Sequence, residues 1–104
     1  IPLGLNVVKC ALGQRTASRI AALLRDSILY AFAHQDEALA YAMRYGRGTD
    51  SERSRQFIRM YVNEDTLTLS TPCREALHVL FQRAQAAGLI PGIPRLEIIE
   101  PLTD

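Results

Sequence analysis

One lysine, two cysteines and no apolar stretch near the ~20 residues that a membrane-crossing helix needs: the shortages in this chain exclude more than its abundances do. Cys10 and Cys73 stand far apart, with no Cys-x-x-Cys and no histidine pair at ligand spacing, which excludes a zinc site and leaves no metal expected. A small secreted domain usually carries several disulfides, so two distant thiols fit free cysteines, buried or on the surface, rather than a redox pair. Charge of one sign is also missing. Twelve basic residues meet eleven acidic ones, for a net charge of +1. The arginines, from Arg15 and Arg19 through Arg53 and Arg59 to Arg83, lie among acidic neighbours instead of on one face, so no nucleic-acid partner is expected. That Lys9 is the single lysine points to the base composition of the gene rather than to chemistry. Residues 1–12 lack the basic lead and long apolar core of a signal peptide, and a cytoplasmic location with no membrane partner is the expectation. The chain opens on Ile1 in mid-motif, without an initiator methionine, which suggests a piece of something longer.

At 104 residues, 48% hydrophobic and 22% charged, the sequence has room for one core. Leu5-Asn6-Val7-Val8 favours an extended segment, and Pro2 keeps the start out of a helix interior. After Gly13, the residues Ile20, Leu23, Leu24, Ile28, Ala31 and Phe32 fall on one face at spacings of three and four, which predicts an amphipathic helix. His34-Gln35-Asp36-Glu37 reads as the joint to a second helix, with Asp36 as its cap, and Ala38, Leu39, Ala42 and Met43 carry the stripe on to Gly46. Arg47-Gly48-Thr49-Asp50 is a predicted turn, with Thr49 or Asp50 capping a third helix from about Ser51. That helix would send Phe57, Ile58, Tyr61 and Val62 into the core. Asn63 is expected to end it in a left-handed conformation. Residues 66–70 alternate as a short strand or connector would. A fourth helix then opens with Thr71 as cap and Pro72 at its first position, and runs through Leu77, Leu80, Phe81 and Ala84 to Gly88. Pro91, Pro94 and Pro101 keep the tail irregular, except around Leu96-Glu97-Ile98. Four helices with one apolar face each can close a small bundle or cover the sheet of a larger α/β domain.

Chemistry is sparse. His34 and His78 lie on separate helices and fit surface roles better than general-base roles. Asp36-Glu37 and Glu64-Asp65 are neighbours in sequence and diverge on a helix, so capping and solvation explain them better than paired acid–base work. Ser18 and Ser27 have no nearby histidine, and Gly46-Arg47-Gly48 lacks the setting of a dinucleotide fingerprint. Tyr30, Tyr41, Tyr45 and Tyr61 suit core or interface packing more than ligand stacking. Pro2-Leu3-Gly4 joins a rigid residue to one that lets a backbone approach closely, which fits either a strand-entry turn or the wall or hinge of a cleft.

Several of these segments occur together in one known family. Ile1-Pro2-Leu3-Gly4 leads to Lys9-Cys10-Ala11-Leu12-Gly13. Ser27-Ile28-Leu29-Tyr30-Ala31 is followed by Ala33-His34 and Glu37-Ala38-Leu39. Met60-Tyr61-Val62-Asn63 precedes Thr66-Leu67 and Thr71-Pro72, and Ala84 leads to Gly88-Leu89-Ile90-Pro91. In this order the motifs resemble the C-terminal part of the 1,4-dihydroxy-6-naphthoate synthase family, from the futalosine route to menaquinone. The likeness covers almost the whole chain. It departs from the family where a basic-basic-Asp pattern is replaced by Lys9, Cys10 and Ala11.

The resemblance implies that a mainly α chain belongs to a two-lobed α/β parent like the type II periplasmic binding proteins. Residues 1–12 would be the extended segment returning through the hinge, and residues 13–104 the helical C-terminal part of the larger lobe. It also implies a carbon–carbon lyase that converts cyclic dehypoxanthinyl futalosine to 1,4-dihydroxy-6-naphthoate with no cofactor. The family's proposed histidine base lies upstream, so no catalytic residue is assigned here. Pro2, Leu3, Gly4 and Asn6 are the substrate-binding candidates, and the small-molecule substrate is the expected partner of the intact parent. A solute-binding protein of the same fold and a free-standing helical interaction module are the alternatives. Helices that normally cover a sheet keep an open apolar face when isolated, so self-association of the isolated chain is expected.

Overall fold

The computed structural model describes residues 4–46 and 50–103, and among them the regular structure is helical with no strand. A 3-10 turn, Cys10–Leu12, precedes five α-helices: α1 (Gln14–Ala33), α2 (Gln35–Met43), α3 (Ser51–Tyr61), α4 (Glu64–Leu67) and α5 (Thr71–Ala86). The 3-10 turn, α2 and α4 all pack on α1, and α3 packs on α2.

Each start has a local cause. Gly13 holds φ +81°, a backbone that side-chain-bearing residues rarely adopt, and α1 begins beyond it without a side-chain cap. The α1–α2 joint falls where it was expected, at His34 alone (φ −129°, ψ 53°), whose N–H still donates to Tyr30 O at 2.9 Å. Asp36 does not cap α2. It sits in the first turn, and its carboxylate instead accepts from Arg55 on α3 at 2.7 Å. Asp50 caps α3 by accepting from Arg53 N at 2.8 Å. The other members of the predicted turn, Arg47, Gly48 and Thr49, lie outside the described residues.

Two expectations fail around residue 63. Asn63 is extended (φ −147°, ψ −163°) rather than left-handed, and it starts a helix instead of only ending one. Its Oδ1 accepts from Asp65 N at 3.0 Å while its own N–H donates to Thr66 Oγ1 at 3.0 Å. This reciprocal cap turns the first half of the supposed strand into α4, because short polar side chains satisfy the orphan N–H groups of a single turn at once. Ser70, not Thr71, then caps α5, accepting from Cys73 N at 3.4 Å. Pro72 falls within the first two helical positions, where no partner for its nitrogen is needed. At the far end Gly88 holds φ +74° and donates to Gln85 O, which closes the helix.

The tail after Gly88 is irregular, as its prolines dictate, and it is tied down. Leu102 N donates to Ser18 O of α1 at 3.0 Å, and Glu100 pairs with Arg74 of α5 at 3.1 Å. Of the two arrangements open to four amphipathic helices, a closed bundle or a layer over a larger domain's sheet, the closed bundle does not form. Ala17, Leu39 and Leu77 are the buried apolar residues among those described, while Leu23, Phe57 and Met60 are 71%, 62% and 73% exposed. Of the four residues the third helix was expected to send into the core, Ile58 is half-buried and Phe57, Tyr61 and Val62, the last just beyond the end of α3, are exposed. The accessible surface is 8638 Å² for an 11.6 kDa chain. A compact monomer of that mass exposes roughly 5,800 Å². The radius of gyration, 16.5 Å, likewise exceeds the ~13 Å of a compact chain this long.

The Asn63 cap is the cheapest test of this local logic. Asn63→Ala is expected to lower stability by about 1 kcal/mol in urea or thermal unfolding followed by circular dichroism, with Asn63→Asp close to the parent chain. Equal melting of all three would mean that the reciprocal cap contributes nothing to the fold.

Candidate functional site

Of the four residues expected to line a cleft, Pro2 and Leu3 lie outside the described residues. Gly4 and Asn6 are exposed on an irregular segment before the 3-10 turn. A Cβ built on Gly4 would meet nothing within 4 Å, so no neighbouring group in this chain requires glycine there. What the segment offers is backbone: none of residues 4–8 has a backbone partner among the described residues. It can line a cleft only against another surface.

The α1–α2 break builds a more ordered cluster. His34 Nδ1 lies 2.9 Å from Tyr30 O, and a carbonyl can only accept, so in the neutral ring Nδ1 carries the proton and Nε2 presents its lone pair. The imidazole stacks on the Tyr30 ring at 4.0 Å and 15°. Tyr30 in turn donates its hydroxyl to Glu37 Oε2 at 3.2 Å. The Glu37 charge beside the phenol, reinforced by this bond, raises the Tyr30 pKa above its ordinary 10.0. The three residues follow one another at four and three positions and would line up on an unbroken helix. The stack sits at the break, where His34 has left the helical conformation (φ −129°, ψ 53°). Their spacing was visible in the sequence; the stacking was not.

Two grooves flank the helices. One, of about 110 Å³, lies among α1, α2 and α3, floored by Phe32, Leu39, Ile58 and Val62 and rimmed by Gln35, Arg55 and Arg59. Arg55 is already committed, since its hydrogen bond to Asp36 holds the guanidinium charged even more firmly than usual. Arg59 makes a longer contact, 3.4 Å, to Gln35 Oε1. Such a rim can accept one carboxylate over an apolar floor but offers no base. The second groove, about 560 Å³ and open to solvent, runs between α5 and the tail. Arg74, His78 and Gln82 form a polar stripe beside Leu77, Leu96 and Ile98. The Arg74 guanidinium is held by Leu69 O at 3.0 Å and by Glu100. His34 and His78 thus belong to different places, and the structure does not bring them together.

Cys10 and Cys73 are free thiols, one exposed and one half-buried. Among the described residues, no three His, Cys, Asp or Glu side chains gather as metal ligands. No helix there is long and apolar enough to cross a membrane.

With this geometry in place, comparison with known proteins gives one consistent answer. A family model described as "Menaquinone biosynthesis" matches residues 1–86. A curated relative from Streptomyces coelicolor, named 1,4-dihydroxy-6-naphthoate synthase, is 32% identical over 93 residues, covering 89% of this chain and 33% of the relative. One of the same name from Thermus thermophilus is 30% identical over 95 residues, covering 91% of this chain and 35% of the relative. The chain therefore spans about a third of the length of these relatives. No solved structure gives a significant match.

The Tyr30–Glu37 bond makes a pH-dependent prediction. A raised phenol pKa in the folded state means that the contact's contribution is complete below pH 10 and is lost as pH climbs through the shifted value. In an alkaline titration followed by phenolate absorbance, Glu37→Gln should therefore move one tyrosine to a lower midpoint. An unchanged titration curve would mean that the two side chains do not interact in solution.

Proposed function

The chain belongs to the menaquinone biosynthesis family, and on that premise we propose that it is the C-terminal portion of a lyase that converts cyclic dehypoxanthinyl futalosine to 1,4-dihydroxy-6-naphthoate. The carrying observation is the family match over residues 1–86 together with two relatives that both bear the synthase name. The proposed parent is a two-lobed α/β protein of the type II periplasmic-binding-protein kind that works in the cytoplasm on its small-molecule substrate. In it, residues 1–12 return through the hinge and residues 13–104 lie over the larger lobe. Reaction chemistry in such a cleft needs a general base and exclusion of water, not a redox or metal cofactor.

The base is proposed to come from outside this chain, from the lobe that precedes Pro2-Leu3-Gly4. What this chain supplies is wall and support. Pro2 gives this segment rigidity and Gly4 lets its backbone be approached closely, and Asn6 brings its one side-chain amide, able both to donate and to accept. The helical part keeps its two histidines apart, His34 stacked on Tyr30 at the α1–α2 break and His78 on α5 beside the second groove. The open apolar flank of α1 and α3 supports the same reading, since a further layer of protein would bury it.

The decisive experiment uses the polypeptide that carries this segment in its full reading frame. Incubation with cyclic dehypoxanthinyl futalosine should yield 1,4-dihydroxy-6-naphthoate, identified by chromatography and mass. Tight binding without turnover would replace the lyase by a solute-binding protein of the same fold. In the active protein, Asn6→Ala should lower kcat/KM by about tenfold, the effect of losing one hydrogen bond to the substrate, with the fold intact by circular dichroism. An unchanged kcat/KM would remove Asn6 from the cleft wall.

A further inference from the structure

Helix α5 does not take its place from the helix packing that arranges the others. Among the described residues, α1 packs on α2 and α4, and α2 on α3, and α5 is in none of these pairs. Its apolar face is covered all the same. Leu77 is 4% exposed, as buried as Ala17 of α1. The groove that Leu77 lines is shared with Leu96 and Ile98 of the tail, both half-buried. Glu97 between them is exposed, so burial alternates along the tail with one side turned to the protein.

Beyond this apolar wall, the tail is fastened at two points. Glu100 Oε1 accepts from Arg74 Nη2 near the start of α5 at 3.1 Å. Two residues on, Leu102 N donates at 3.0 Å to Ser18 O of α1, beside the buried Ala17. One bond ends on α5 and the other on α1, so the tail bridges the two helices. Pro94 and Pro101 lower the entropy that ordering this stretch costs, because proline is already restricted in the unfolded chain.

We propose that residues 94–102 are a releasable strap. Seated, they hold α5 to α1 and complete the groove beside α5; released, they free α5 as a unit while α1, α2 and α3 stay packed. The proposal goes beyond the lyase reading and does not depend on it. The fastenings are of a kind that opens. The Arg74 and Glu100 side chains are 41% and 67% exposed, so their pairing is solvated and weak, and the backbone bond to Ser18 is a single one. A part held by few contacts opens locally, ahead of the whole chain. Opening also dismantles the groove, since Leu96 and Ile98 leave with the tail and Arg74, His78 and Gln82 stay behind on α5.

Hydrogen exchange resolved by residue in the 104-residue chain tests the strap, with the amides of residues 75–84 reporting α5 and those of residues 20–30 reporting α1. A helix of 16 residues without packing is marginal in water, so release shows as faster exchange. Ending the chain at Ile93 should speed α5 exchange by about tenfold or more and leave α1 within about twofold. The double variant Glu100→Gln/Leu102→Pro keeps the tail's length but removes the charge from one fastening and the N–H donor from the other. It should speed α5 exchange by about tenfold. Glu97→Gln, the same charge change at an exposed tail position, should match the unaltered chain. Should the shortened chain fail to fold, the double variant decides alone. Unchanged α5 exchange in either folded variant, or α1 loosening as much as α5, would overturn the strap.

Discussion

Very little apolar surface is enclosed in this chain, and the rest of its structure reflects that constraint. With Ala17, Leu39 and Leu77 as the buried apolar residues among those described, the helices cannot rely on a common core to define their ends or orientations. They rely on backbone geometry and short-range polar groups instead: Gly13 before α1, Asp50 before α3, Asn63 before α4, Ser70 before α5 and Gly88 after it. Each cap satisfies donors or acceptors that would otherwise be left to water. Isolated helices of this length are marginal without packing, so the caps and the partial stripes of α1 and α5 act together.

Polar ties do part of what a core would do. Arg55 reaches Asp36 to join α3 to the start of α2, and Arg74 reaches Glu100 to draw the tail onto α5. Leu102 closes the circuit through its backbone bond to Ser18. These ion pairs are largely solvated and carry modest weight on their own. Their value is positional: they hold the rims of the two grooves in place. The exposed apolar side chains of α1 and α3 remain the unfinished part of the energetics, and the rest of the proposed parent protein would finish it.

The candidate site was legible to different depths. That Gly4 and Asn6 stand outside any helix could be read from Pro2 and the β-branched run beside them, since those preferences are local. Their surroundings could not, because nothing in the segment dictates what lies across from it. The Tyr30, His34 and Glu37 group shows a second kind of limit. Its spacing is plain in the sequence, but the stack falls at a helix break of a single residue that no glycine or proline marks. Asp36 erred for a related reason: it has the composition of a cap, and it left that role for an arginine nineteen positions further on.

By itself, the sequence determined four of the five α-helices, most of the places they stop, the irregular tail and the family to which the chain belongs. Those depend on side-chain periodicity, on glycine, proline and capping residues, and on ordered motifs, all written within a few positions of one another. Asn63 marks the boundary of that power, for the same small amide serves a helix end or a helix start, and only the Thr66 hydroxyl placed above it selected the second. The tertiary structure alone decided which apolar faces would be covered. Phe57 and Ile58 are adjacent and equally apolar, yet one stands in water and the other is half-buried, because burial is a property of what packs against a residue and not of the residue.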